Sequence, residues 1–460
     1  MDCFKIGVLG AVDSGKSTLI GVLKTNQNDD GRGLVRKHVM KHNHELQSGR
    51  TSCISYNVIN IENKLFNFVD LAGHESYLKT TIYGLNALEL NYVLIIIGAN
   101  MGVNNMTREH FNLARVLQLP VIFVINKIDI CPENIINETL KDLRKMVKSK
   151  KCGIKPLEIV ENEELLDNEE NNKILFYNSE KKEIFLDNKI ELIKNYDKIR
   201  EIKKNKMKEN IEENNTPVFL ISNKLGYGIN NLRNYLCKIH KIKSNIPSII
   251  KSNEKLTKDT SQKSTNIFII QETYNIKGIG LVFYGYQKKG DTSRNDVIKI
   301  GPIGGQFYNI HIRNVRDVLD NDVDTLYQGQ LGCLAIKQLS KEFTFKRDHI
   351  KKGVYLTSNP YCCQQFVARI HILHHPTTIR KNYQSTIHCG SVIQAARIVE
   401  ILNIKNDIHT EEDKLLRTGD QAKVKFEFMF RPEFVEDNAL FIFRENNAKG
   451  VGKIISTVNI

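Results

Sequence analysis

The chain has 460 residues and a formal net charge of +14, with 66 Lys and Arg against 52 Asp and Glu. That length suits two to four domains, and the charge makes a polyanionic partner plausible. No apolar run approaches the roughly 18 residues of a membrane span, which excludes a helical membrane protein. Nine cysteines, at positions 3, 53, 131, 152, 237, 333, 362, 363 and 389, lack the CxxC spacing of a zinc site and fit reduced thiols, so a soluble cytoplasmic protein is expected.

Up to about residue 150, short runs nearly continuous in Val, Ile, Leu and Phe alternate with helical patterns: "KIGVLG", "LFNFVDLAG", "NYVLIIIGA" and "LPVIFVINK". Strands covered on both faces read this way, so an α/β domain with a mainly parallel sheet flanked by helices is expected. Residues from about 152 to 215 break that rhythm. There "ENEELLDNEENN" is acidic, "KNYDKIREIKKNKMKENIEENN" is mixed-charge and helix-prone, and "KILFYN" and "KEIFLDN" suit a small hairpin. This reads as an insertion in a first domain of residues 1–250, either a partner-binding appendage or a solvated excursion. A polar linker at 251–265 follows. Beyond it, glycine-punctuated alternating runs such as "IGLVFYGY", "FVARIHILHH" and "AKVKFEFMF" predict two β-barrel or sandwich modules, 266–360 and 361–460.

The stretch "GAVDSGKST" runs through Gly10, Ala11, Val12, Asp13, Ser14, Gly15, Lys16, Ser17 and Thr18, between a buried strand and a helical pattern. Its glycines let backbone N–H groups approach phosphate oxygens. Lys16 adds charge at the outer phosphates, and the Ser17 hydroxyl can ligate Mg²⁺. "DLAG" follows a strand: Asp70 can hold Mg²⁺ through water, and Gly73 can offer its N–H to a γ-phosphate.

"NKID" follows another strand. The Asp129 carboxylate can accept from both N1–H and the exocyclic amine of guanine, donors that adenine does not present there, so the expected base is guanine. Asn126 and Lys127 belong to the same motif, and "SNK", Ser222, Asn223 and Lys224, closes the set near guanine O6. In "SGRT", Thr51 can complete Mg²⁺ coordination only when a γ-phosphate is present, which makes its segment an order–disorder switch. His74, directly after DLAG, is the candidate to orient the attacking water.

These motifs, with "DLAGHESYLKTT", "MTREHFNLARVLQLPVIFVINKIDICP" and the C-terminal "FIFRENNAKGVGKI", resemble the translational GTPases related to elongation factor Tu, and among them the eukaryotic GTP-binding protein 1 and 2 branch. The resemblance implies a P-loop GTPase domain followed by two β-barrel domains, binding GTP or GDP with Mg²⁺. It gives Lys16, Thr51 and His74 the catalytic positions, and Ser17, Thr51 and Asp70 the metal. Asp13 matches a P-loop aspartate implicated in holding a monovalent cation. One departure stands beside Thr51, where Arg50 occupies a place that elongation factor Tu-like chains usually fill with isoleucine, opposite Val12.

The function implied is a translational switch that binds aminoacyl-tRNA and the ribosome. Two rivals stay open: a regulatory GTP-dependent RNA-binding switch in RNA turnover or surveillance, and a ribosome-bound competitor with weak hydrolysis. In the last module, His374, His375, Arg380 and Lys381 read either as contacts for phosphates or a ribosomal surface, or as a packed or exposed strand end.

Overall fold

The computed structural model describes residues 3–40, 54–148, 157–159, 173–178, 183–188, 216–240, 265–339, 347–350, 353–404, 415–445 and 448–459. The chain divides into two compact units, one of residues 4–85 with 89–243, the other chiefly 244–460.

The first unit holds the strands β1 (Cys3–Gly10), β2 (Ser55–Ile61), β3 (Lys64–Asp70), β4 (Tyr92–Gly98), β5 (Val121–Asn126), β6 (Leu157–Ile159), β7 (Lys173–Asn178), β8 (Glu183–Asn188) and β9 (Thr216–Leu220). Its helices are α1 (Lys16–Thr25), α2 (Leu78–Ala87), α3 (Asn105–Val116), α4 (Glu133–Lys148) and α5 (Ile229–Lys238). One sheet runs in the order β2-β3-β1-β4-β5-β9-β6. β1, β4, β5, β9 and β6 pair in parallel, while β2 and β3 pair antiparallel.

Every residue of β1, β4, β5 and β9 is buried. That is the physical reason for their unbroken apolar runs: helices cover both faces. On one face Phe4, Ile6 and Val8 pack with Leu19, Ile20 and Leu23 of α1 and Leu232 and Leu236 of α5. β1 lies between β3 and β4, so the chain departs to one side of it and later returns on the other. Ligands of open α/β sheets bind at such a reversal, outside the carboxyl ends of the strands.

"KILFYN" and "KEIFLDN" form an antiparallel pair, β7 with β8, in a sheet of their own. β6, from the same charged segment, instead joins the main sheet beside β9, with Leu157 opposite Thr216.

The second unit begins with β10 (Ile267–Ile276), β11 (Gly280–Lys289), β12 (Thr292–Ser293), β13 (Val297–Ile303), β14 (Gln306–Asp317), β15 (Asp322–Val323), β16 (Thr325–Leu326), β17 (Leu331–Gln338) and β18 (Tyr355–Thr357). Six of these close a barrel in the order β13-β18-β10-β11-β17-β14, sealed by β14 against β13. A second barrel follows: β19 (Cys363–His374), β20 (Gln384–Cys389), β21 (Val392–Ile404), β22 (Gln421–Phe428), β23 (Leu440–Glu445) and β24 (Ala448–Asn459), closed in the order β19-β22-β21-β20-β23-β24.

Alternation explains both barrels. Phe366, Ala368, Ile370 and Ile372 of β19 point inward against Val424, Phe426 and Phe428 of β22. Closure leaves no sheet edge open. Between the barrels, Phe434 packs against Phe307, Tyr355 and Tyr361, and Glu436 accepts from both Lys288 and Lys289. Among the described residues, no helix is long and apolar enough to cross a membrane.

Candidate nucleotide site

Four sequence motifs stand at the carboxyl ends of four strands of the first unit. The loop 11–15 follows β1, Leu71–Gly73 follow β3, Lys127–Asp129 follow β5, and Ser222–Lys224 lie just beyond β9. The strand order brings them to one end of the sheet. The first loop needs unusual backbone: Asp13 has φ 61° and Gly15 φ 92°. At Gly15 a Cβ would sit 2.2 Å from Asn126 Nδ2, so glycine alone fits.

Gly15 caps α1 without a side chain. Asn104, by contrast, caps α3 by accepting from Thr107 N at 2.8 Å. The positive end of the α1 dipole therefore meets the loop unblocked by a cap side chain, the arrangement that receives an anion.

Lys16 is buried, and its Nζ donates to Ala11 O at 2.9 Å. Burial pushes its pKa down, against the opposing pull of Asp70 and Asp13. A cation held this way gains from an incoming polyanion. Gly73 closes on the same place, since a Cβ there would stand 2.4 Å from Gly10 O and 2.5 Å from Lys16 Nζ. Ser17 Oγ donates to Asp70 Oδ2 at 2.5 Å, and both residues are buried. A hydroxyl beside a carboxylate is a hard oxygen donor set, which fits Mg²⁺.

Buried side-chain amides knit the remaining motifs to the loop. Asn126 Nδ2 donates to Ser14 O at 3.0 Å, Asn223 N donates to Asn126 Oδ1 at 3.4 Å, and Asn223 Nδ2 donates to Gly15 O at 3.3 Å. Ser222 Oγ donates to Asp129 Oδ1 at 2.7 Å and accepts from Leu225 N at 3.1 Å. Lys127 has φ 66° at the turn between them.

Ala11 and Ser14 are buried, Val12 and Thr18 are half-buried, and Asp13 and Lys224 are exposed. His74 is exposed, its Nδ1 accepts from Ser76 N at 3.2 Å, and its ring stands edge-on to Tyr77 at 6.1 Å. Thr51 and Arg50 lie outside the described residues.

The motif reading missed two residues. Asp29 is buried, and its carboxylate accepts from the backbone N–H of Gly31, Gly33 and Val35 at 3.0, 3.0 and 3.4 Å, while its own N–H donates to Asn223 O at 2.9 Å. It fastens the segment after α1 to the Ser222–Lys224 turn. The pattern Asp29-x-Gly31-x-Gly33 is the available signal, an aspartate folding the chain around itself.

His110 of α3 is fully buried, and among the described residues neither of its ring nitrogens has a hydrogen-bond partner. Burial drives its pKa down to about 3, and the charge of Lys16 pushes the same way. A lone histidine inside an apolar helix pattern carries no such signal. In the second barrel, His375 builds a turn: its Nδ1 accepts from Thr377 N at 3.1 Å, and its ring meets Tyr383 edge-on at 5.3 Å.

The family model of the elongation factor Tu GTP-binding domain matches residues 1–241, and that of the elongation factor Tu C-terminal domain matches 359–458. GTP-binding protein 1 of Xenopus laevis is 32% identical over 479 residues, covering 98% of this chain and 62% of that protein. GTP-binding protein 2 of Homo sapiens is 30% identical over 475 residues, covering 98% and 68%. The chain thus spans less than two thirds of the first relative's length.

Among solved structures, a bacterial selenocysteine-specific elongation factor EF-Sec matches with TM-score 0.64 at 16% identity, covering 100% of this chain and 59% of that one. Elongation factor SelB from Methanococcus maripaludis, in complex with the GTP analogue GppNHp, matches with TM-score 0.63 at 18% identity, covering 100% and 81%. At those identities the likeness is one of fold. With a GTP-binding family model over more than half its length and a 30% identical relative of which it covers over two thirds, the chain belongs to the elongation factor Tu-like family of translation-factor GTPases.

Proposed function

We propose that this protein binds GTP, hydrolyses it to GDP and phosphate, and uses the two states as a switch in translation, carrying aminoacyl-tRNA to the ribosome. The observation that supports this most is the hydrogen-bonded convergence of the loop 11–15 with Asp70, Asn126 and Ser222–Lys224 at one end of the sheet. In this reading the backbone of Gly10 to Gly15 and the first turn of α1, through Thr18, cradle the phosphates. Lys16 stabilises charge on them, and Asp13 faces a monovalent cation.

Ser17, Asp70 and Thr51 are the oxygen donors for Mg²⁺, which when bound neutralises charge on the β- and γ-phosphates. Asp129 accepts from the guanine N1–H and amine. Ser222 holds that carboxylate in place, while Asn126, Lys127, Asn223 and Lys224 wall the base. The Gly73 N–H senses the γ-phosphate, and His74 orients the attacking water.

Protein groups here position and stabilise, so unassisted turnover is slow and partner-stimulated. The tRNA and ribosome part of the reading rests on membership of the elongation factor Tu-like family. The test is GTP turnover alone and with ribosomes, for wild type and His74→Ala, beside binding of charged and deacylated tRNA by the GTP form. Strong ribosome stimulation that His74→Ala abolishes, with preference for charged tRNA, is expected. Equal affinity for both tRNAs sinks delivery and leaves a regulatory RNA-binding switch.

A further inference from the structure

Two contacts tie α2 to the segment Asp70–Gly73, one apolar and one polar. Gly84 lets the helix lie on Leu71, because a Cβ there would stand 2.3 Å from Leu71 Cδ2. One turn earlier, Thr81 Oγ1 donates to Ala72 O at 2.9 Å. Thr81 is 0% exposed and Ala72 is buried as well, so water does not stand in for either partner.

A threonine inside a helix ordinarily turns its hydroxyl back to the carbonyl four residues earlier. That acceptor, Tyr77 O, lies at 3.4 Å, the longer of the two distances. A hydroxyl has one proton to give, and the shorter bond takes it to Ala72. Helix formation does not ask for this bond, since Ala72 lies outside α2.

Ala72 O belongs to the same peptide unit as the N–H of Gly73. The unit is planar and trans, so the N–H points opposite to the carbonyl. A hydrogen bond that fixes the carbonyl therefore fixes the direction of the N–H. Gly73 itself lies against the phosphate loop, where its missing Cβ would meet Gly10 O and Lys16 Nζ. His74 follows it directly in the chain.

We propose that Thr81 is a positioning residue for the γ-phosphate contact: its hydroxyl holds the Ala72–Gly73 peptide in the orientation in which the Gly73 N–H receives the γ-phosphate. This rests on the nucleotide-switch reading above and adds to it a side chain that touches neither the nucleotide nor the attacking water. Tyr77 O supplies the released setting. When the peptide turns away after phosphate has left, the proton passes to that ordinary helical acceptor, so the buried hydroxyl stays bonded in both settings. Two settings that differ by little free energy are what a single ligand can bias.

The test compares wild type with Thr81→Val, which keeps the β-branched shape and removes the proton, and Thr81→Ser, which keeps the proton. Dissociation constants for GDP and for the GTP analogue GppNHp are measured in Mg²⁺ on the full chain, beside the melting temperature. Thr81→Val should weaken GppNHp about tenfold and leave GDP within about twofold of wild type, because GDP has no γ-phosphate for the Gly73 N–H to meet. Thr81→Ser should restore the affinity for GppNHp.

An equal loss for both nucleotides overturns the assignment and leaves Thr81 as packing beneath α2. So does a serine variant no better than the valine one, or an unchanged affinity for GppNHp. A gain in GppNHp preference also overturns it, because the bond would then hold Gly73 away from the phosphate. Failure of the nucleotide reading is distinct: wild type itself would bind neither GDP nor GppNHp, whereas failure of the Thr81 assignment alone leaves wild-type binding intact.

Discussion

Ser17 Oγ donates to Asp70 Oδ2 at 2.5 Å and so ties the first turn of α1 to the end of β3, 53 residues away. Both groups are oxygen donors buried beside Lys16. Ser17→Ala and Asp70→Asn should each weaken GTP binding about tenfold or more, about 1.4 kcal/mol, in Mg²⁺ and much less in chelator. Titration of a fluorescent GTP analogue under both conditions reads this. Equal losses with and without Mg²⁺ would mean that the pair is only a structural strut.

Asp129 is held by Ser222 through a 2.7 Å hydrogen bond. Asp129→Asn should shift preference from GTP toward xanthosine triphosphate, whose C2 carbonyl accepts from the new amide. Ser222→Ala should cost GTP about 1 kcal/mol with selectivity retained. Competition between the two nucleotides measures both effects, and an unchanged GTP preference in Asp129→Asn would refute the base assignment.

Asp29 satisfies three backbone N–H groups and links through its own N–H to Asn223. Asp29→Ala leaves those donors without their acceptor, at about 1–3 kcal/mol. Faster release of bound nucleotide and a lower melting temperature are expected, from stopped-flow and thermal unfolding. Wild-type release rates would confine Asp29 to local folding.

Glu436 is half-buried between the barrels. Burial works to raise its carboxyl pKa, but Lys288 and Lys289 outweigh it and hold the group below the ordinary glutamate range. A depressed folded pKa adds stability that is fully present above the unfolded value of about 4.3 and is lost as the pH falls through the folded one. Glu436→Gln should therefore destabilise the barrel unit by about 2 kcal/mol at neutral pH, below the cost of breaking a fully buried pair because Lys289 is half exposed. The difference from wild type should shrink in acid. Denaturant unfolding across the pH range tests it; a gap that does not change with pH would assign the effect to shape.

The sequence by itself determined the α/β character of the first unit, since strands buried on both faces must be apolar at nearly every position, as "VLIIIGA" is. It also determined the order of the motifs, because phosphate loops, strand-end aspartates and base-reading turns are local chemistry written in a few adjacent residues. The alternating runs of the second half left barrel and sandwich open as readings of the residues, and pairing β14 with β13 and β24 with β19 decided for closure.

Partners across long separations were decided only in three dimensions. That Ser222 grips Asp129, that Asn126 reaches Ser14, and that Asp29 fastens to Asn223 depend on which strand ends the sheet order makes adjacent. β6 is the same case: three residues in a charged segment carry too little periodicity to announce a strand, and only the open edge of β9 makes them one.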